Sequence, residues 1–301
     1  MKQLLTLITS VEIGLVAGEA PGILGRLFRA RLASLVALSA LSGYLFAAHQ
    51  MTASAALVAL AIWLLAAGCS ALNQLQEIES DCRMQRTRTR PLPSGDLSPY
   101  QALLIAGISI ATGLFLLLNT GLVPLLLGLF AILWYNGVYT PLKKVTAWAV
   151  FPGAVCGALP PLIGYSAAGG SIFDSAAVIL AGTLLIWQVP HFWLLAWRYR
   201  QDQLDSGLPT PFRKLTDQRL FAINGCWLAA LALSYLLFVL FGMIANSLLA
   251  DIYLALLSAL FLAGGRELLR GSQAASSGRL FHLVNLSMAL LLLTLVCDSL
   301  L

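Results

Sequence analysis

Charge is what this chain has least of. Only 10% of its 301 residues are Asp, Glu, Lys or Arg, against about 25% in an ordinary soluble domain. That excludes a conventional water-soluble globule. With 59% hydrophobic residues, the composition points to a chain that lives in lipid. Paired cysteines are missing too. Cys69, Cys82, Cys156, Cys226 and Cys297 make no C-x-x-C spacing, which speaks against a thiolate metal site or a redox dithiol. They read as small polarizable residues inside helices. A cleavable leader is also a poor fit. The apolar run in "MKQLLTLITSVEIGLVAGEAPG" is brief and is interrupted by Glu12 and Glu19. Residues 1–31 are expected to form an N-terminal interfacial segment, and residues 32–301 a single membrane domain.

What is present is a series of long apolar runs, each sufficient to cross a bilayer. They fall at residues 32–49, 52–72, 101–118, 121–139, 147–167, 175–196, 220–242, 247–264 and 280–300. The expected architecture is an all-α, polytopic membrane bundle of about nine transmembrane helices. The charges test that count. Basic residues collect in cytoplasmic loops because translocating them is unfavourable. With nine spans and a cytoplasmic N-terminus, all 18 Lys and Arg residues fall on one side. The other side carries acids such as Asp174, Asp251 and Asp298. A wrong count would scatter the basic residues. The net charge of +5 therefore reads as a basic membrane rim, with no nucleic-acid partner implied.

The densest cluster of both charge signs is "NQLQEIESDCRMQRTRTRPLPSG" at 73–95, directly after the second span. Asn73, Glu77 and Asp81 are spaced by four, so on a helix they form one stripe, with about 6 Å between neighbours. Ionisable groups at membrane depth are costly and point to function. One amide and two carboxylates suit a hard cation such as Mg²⁺, which binds one or two carboxylates together with substrate phosphates. Arg83, Arg86 and Arg90 follow, and guanidinium forks hold phosphate oxygens through paired hydrogen bonds. Together they are a physical recipe for binding a diphosphate. The alternative is a solvated helix end with i,i+4 ion pairs, each worth a few tenths of a kcal/mol.

The second half offers a counterpart. Asp202 and Asp205 follow the sixth span beside Arg198 and Arg200, on the same basic face. Both halves thus deliver carboxylates and arginines from their second span, which suggests two four-helix halves plus a ninth helix. Two acidic stripes facing each other across the bundle would hold Mg²⁺ on one diphosphate, where the metal stabilises the leaving group as a Lewis acid.

These residues resemble the UbiA-type intramembrane prenyltransferases, and within them the protoheme IX farnesyltransferases (haem O synthases). The motif of that group reads N-x₃-D-x₃-D, a basic residue, Met, x, Arg-Thr, two residues, Arg-Pro. Asn73, Glu77, Asp81, Arg83, Met84, Arg86, Thr87, Arg90 and Pro91 stand in register with it. "YTPLKKVT" at 139–146, "GALPPLIGY" at 157–165, "WQVPHF" at 187–192 and "DQLDSGLP" at 202–209 resemble four further blocks.

The resemblance implies Mg²⁺-assisted transfer of farnesyl from farnesyl diphosphate to a vinyl group of haem b, which is substrate and not cofactor. Asn73, Glu77, Asp81, Asp202 and Asp205 would then serve the metal. Arg86, Arg90, Lys143 and Lys144 would hold the diphosphate, and His191, Gln188 and Tyr139 would approach the haem. It also implies a bacterial inner membrane with the active site on its cytoplasmic side. A haem-pathway enzyme would be a fitting partner, but no residue pattern specifies one.

The chain departs from the group's pattern in four places. Glu77 stands for Asp, Gln203 for Tyr, Thr210-Pro211-Phe212 for Met-Leu-Pro, and Arg29-Ala30-Arg31 for Lys-Pro-Arg. A related prenyltransferase acting on an aromatic quinone precursor is the runner-up, and a membrane transporter or scaffold is the reading outside enzymes. A transporter is expected to place polar groups at mid-membrane in broken helices, whereas here they gather at one face. The Pro160-Pro161 pair is expected to interrupt the fifth span.

Overall fold

A computed structural model describes residues 22–269 and 274–301. Most of residues 1–31 therefore lie outside the described residues. Those within reach, 22–31, form a short helix, Ile23–Leu27, and a left-handed turn at Arg29 with φ 50°. Among the described residues there are nine helices long and apolar enough to span a membrane. They are α1 (Ala30–Ala48), α2 (Ala53–Gln76), α3 (Pro99–Leu118), α4 (Leu122–Leu142), α5 (Val150–Ala167), α6 (Ser175–Arg198), α7 (Asp217–Leu240), α8 (Ser247–Leu269) and α9 (Ala274–Leu300). The described residues hold no strand, as expected where every backbone polar group must be satisfied without water.

The two halves repeat a plan. α2 and α6 each have 24 residues, and each is followed by a six-residue helix, Ile78–Arg83 and Arg200–Asp205 respectively. The next helices begin with hydroxyl caps: Ser98 accepts from Gln101 N–H and Thr216 from Arg219 N–H. α9 packs on α8, α6 and α1, which closes the bundle.

Close packing at the centre needs small residues, as is usual where lipid supplies no hydrophobic drive between helices. A Cβ on Gly43 of α1 would run into the Pro161 carbonyl of α5, and one on Gly164 of α5 into the Ala40 carbonyl of α1. The Pro160-Pro161 pair does not interrupt its span, contrary to expectation. α5 runs unbroken from Val150 to Ala167 with both prolines inside, where Gly43 lets α1 pack against the Pro161 carbonyl.

Candidate active site

α2 carries the acidic stripe past the point where its hydropathy ends. The helix stops at Gln76, and Glu77 lies outside helical geometry at φ −114°, ψ 13°. The stripe survives this break. Glu77 N–H still donates to the Asn73 carbonyl (3.0 Å) and Asp81 N–H to the Glu77 carbonyl (2.8 Å). Asn73, Glu77 and Asp81 are all buried.

Each member of the stripe has a partner from another segment. Asn73 Nδ2 donates to Thr140 Oγ1 at 3.1 Å, which leaves its amide oxygen, an acceptor, available to a cation. Glu77 pairs with Lys143 Nζ at 2.5 Å. Asp81 Oδ2 takes a charged hydrogen bond from Arg90 Nη1 at 2.6 Å, and Thr87 Oγ1 donates to the Asp81 carbonyl. Burial pushes the Asp81 carboxyl above its ordinary pKa, against the opposing pull of Arg90. Burial, then the neighbouring positive charge of Arg29, holds Arg90 below its own. For Arg86 desolvation again leads, followed by the charges of Arg90 and Arg29.

Lys143 and Thr140 reach the stripe because the end of α4 is rewound. Residues Leu133–Tyr139 form a π-helix, a rare form often found at functional sites. Asn136 anchors it by donating Nδ2 to the Cys69 carbonyl (3.1 Å), while Gln76 Nε2 donates to the Asn136 carbonyl (2.9 Å). Tyr135 and Tyr139 stand with ring centres 5.6 Å apart, and the Lys143 ammonium lies 4.9 Å over the Tyr139 ring.

The arginine arm is braced from two sides. Arg26 donates to the Thr89 carbonyl and pairs with Asp96 at 2.7 Å, while Gln74 Nε2 holds the Arg26 and Leu27 carbonyls. From the second half, Asp202 accepts from Gln85 N–H (3.3 Å) and Arg86 N–H (3.2 Å). Tyr199 lies under the Arg86 guanidinium at 4.9 Å. The two halves therefore meet at one end of the bundle, as expected.

Three of the expected site residues engage other partners in this structure. Asp202 grips the backbone of the arginine arm with both carboxylate oxygens. Asp205 is exposed and accepts from Gln201 Nε2 of its own helix at 2.9 Å. Lys144 donates to the Gln76 carbonyl at 2.8 Å, where a cation complements a helix C-terminus. The described residues contain no group of three or more His, Cys, Asp or Glu able to hold a metal together. Lys143 pairs with Glu77, Arg90 with Asp81, and two backbone N–H groups donate to Asp202.

The stripe alone still fits Mg²⁺. Asp81 Oδ1 is buried with no hydrogen-bond partner, and an orphaned carboxylate oxygen is costly unless something binds it. Asp81, Glu77 and the Asn73 amide oxygen offer the hard donors of an ion that completes its shell with phosphate oxygens.

His191 and Gln188 diverge. His191 Nδ1 bonds Asn285 Oδ1 of α9 at 2.7 Å, and its ring packs on Trp187 and Phe281 with centres 4.6 and 5.2 Å away. The Gln188 amide instead occupies the space beside Gly157 of α5. Sequence reasoning missed Arg29, whose charge acts on both Arg86 and Arg90. The family-pattern departure at 29–31 was the signal that marked it.

The chain matches known proteins over most of its length. The model of the UbiA prenyltransferase family matches residues 36–291. The chain belongs to the UbiA prenyltransferase family. It is 42% identical over 276 residues to the protoheme IX farnesyltransferase of Oleidesulfovibrio alaskensis, covering 91% of this chain and 95% of that one. It is 45% identical over 221 residues to the enzyme of the same name from Geobacter sulfurreducens, covering 73% and 81%. In fold it resembles a UbiA homologue from Archaeoglobus fulgidus solved bound to DMAPP and Mg²⁺. The TM-score is 0.68 at 16% identity, covering 92% of this chain and 98% of that one. That likeness concerns the fold alone.

Proposed function

We propose that this chain transfers a farnesyl group from farnesyl diphosphate to a vinyl group of haem b, forming haem O, in a Mg²⁺-dependent reaction. The observation that carries this reading is its 42% identity, across nearly the full length of both chains, to a relative named protoheme IX farnesyltransferase. The site supports it, since buried hard oxygens lie beside a cluster of cations at one end of a lipid-embedded bundle.

Asn73, Glu77 and Asp81 would hold Mg²⁺, which when bound neutralises charge on the leaving diphosphate. Arg86, Arg90 and Lys143 bind diphosphate oxygens, with Arg29 adding positive field. Asp202 positions Arg86 by gripping its backbone. Lys143 and Arg90 keep the acids paired until the donor arrives. The C1–O bond of the donor breaks, the vinyl carbon bonds to C1, and water captures the resulting cation with loss of a proton. The apolar bundle keeps water away from C1, so that hydrolysis does not compete. The basic rim supports a cytoplasmic N-terminus and an active site on the cytoplasmic face of a bacterial inner membrane.

The test is to express the chain with haem b, farnesyl diphosphate and Mg²⁺ and to analyse the haems by mass spectrometry. Haem O is the expected product. Its absence, with prenylation of an aromatic quinone precursor in a parallel reaction, would overturn the haem assignment and keep the family chemistry.

A further inference from the structure

α6 ends at Arg198, and Tyr199 leaves helical geometry at φ −109°, ψ 36°. Its N–H still caps the helix by donating to the Leu195 carbonyl at 3.2 Å. The six-residue helix Arg200–Asp205 then resumes the winding, and Gln203 N–H donates to the Tyr199 carbonyl at 3.0 Å. Asp202 follows Tyr199 by three residues, about one turn later, so the two can reach the same neighbour. That neighbour is Arg86. Asp202 accepts its backbone N–H at 3.2 Å, and its guanidinium lies over the Tyr199 ring, 4.9 Å from the centre. One segment of the second half therefore holds Arg86 at the backbone and at the far end of its side chain.

A ring does here what a carboxylate would not. Arg90 and Lys143 are paired with Asp81 and Glu77. The Arg86 guanidinium makes no hydrogen bond or ion pair among the described residues, and its contact is with the ring face. Attraction to a ring face engages the charge and takes none of the five N–H donors. Arg86 is exposed, and an untethered arginine side chain samples many rotamers whose loss weakens binding. A ring beneath it reduces that loss and leaves the donors open. We propose that Tyr199 is a positioning residue, which holds the Arg86 guanidinium ready for the oxygens of a diphosphate. This role rests on the diphosphate reading of the site and is independent of the acceptor.

The probe is inorganic pyrophosphate with Mg²⁺, titrated calorimetrically into the purified full-length protein in detergent. A cation–π contact at an exposed site corresponds to roughly a two- to five-fold change in affinity, and Tyr199→Leu should raise the dissociation constant by that factor. Tyr199→Phe keeps the ring and should bind as the unaltered protein does. In an Arg86→Ala background Tyr199→Leu should have no further effect, which separates holding Arg86 from general support of the fold. Tyr199→Gln serves as the ringless variant if the leucine one does not fold. Unchanged affinity without the ring, a loss in Tyr199→Phe, or an undiminished effect in the absence of Arg86 each overturns the proposal. Pyrophosphate binding that ignores Tyr199 removes this role alone, whereas an unaltered protein that binds no pyrophosphate removes the diphosphate reading and this role with it.

Discussion

Arg90→Ala is the perturbation that separates the two duties of the Asp81–Arg90 pair. The bond is 2.6 Å long, and the side chains are 1% and 15% exposed. Breaking a buried pair by removing one partner costs about 3–5 kcal/mol, because a buried charge is left alone. The residual exposure of Arg90 places the expected loss near the lower end, about 3 kcal/mol. The donor loses a charged hydrogen bond worth about 1.5–3 kcal/mol. At about 1.4 kcal/mol per factor of ten, that is roughly a 10- to 100-fold rise in KM for farnesyl diphosphate.

The second variant is Asp81→Asn combined with Arg90→Ala. It removes the stranded charge, so thermal stability should recover most of the loss. Turnover should nevertheless be abolished, because the carboxylate that would bind the metal is gone. Thermal unfolding in detergent and haem O formation read the two effects separately. An Arg90→Ala protein with unchanged unfolding temperature and unchanged donor KM would refute the reasoning, as would a double variant that turns over normally.

Three further outcomes are expected. Excess EDTA should stop prenyl transfer and Mg²⁺ should restore it; turnover persisting under chelation would remove the metal from the mechanism. Asp202→Asn should raise donor KM several-fold while leaving the Mg²⁺ concentration for half-maximal activity unchanged, since its carboxylate grips Gln85 and Arg86 N–H groups; a selective rise in the Mg²⁺ requirement would restore it as a metal ligand. Gly164→Val should lower the yield of folded protein and its unfolding temperature, because any Cβ there meets the Ala40 carbonyl and overpacking of this kind costs about 1–3 kcal/mol or more; a fully stable Gly164→Val protein would show that α1 and α5 do not cross so closely.

The spans were legible because lipid imposes a simple rule, namely a run of apolar residues long enough to cross. Even so, the second run read from hydropathy ends at residue 72, whereas α2 continues to Gln76. The polar residues Asn73 and Gln74 end the hydropathy signal but not the backbone hydrogen bonding, and burial against neighbouring segments carries the helix onward. The stripe itself was legible from its four-residue spacing, since helical contacts are local. The partners of the stripe were not. Asn73–Thr140 and Glu77–Lys143 depend on a π-helical rewinding of α4, and no periodicity in "LWYNGVY" signals the extra residue per turn. Asp202 shows the limit most clearly. Its partners lie 116 and 117 residues away, and composition cannot distinguish a carboxylate facing a metal from one facing two backbone N–H groups. An acid placed near arginines by sequence is therefore a candidate ligand only until its oxygens are accounted for. In this site that accounting leaves Asp81 Oδ1 as the buried carboxylate oxygen without a hydrogen-bond partner beside the arginine arm, which makes Asp81, more than Asp202, the residue on which metal binding should turn.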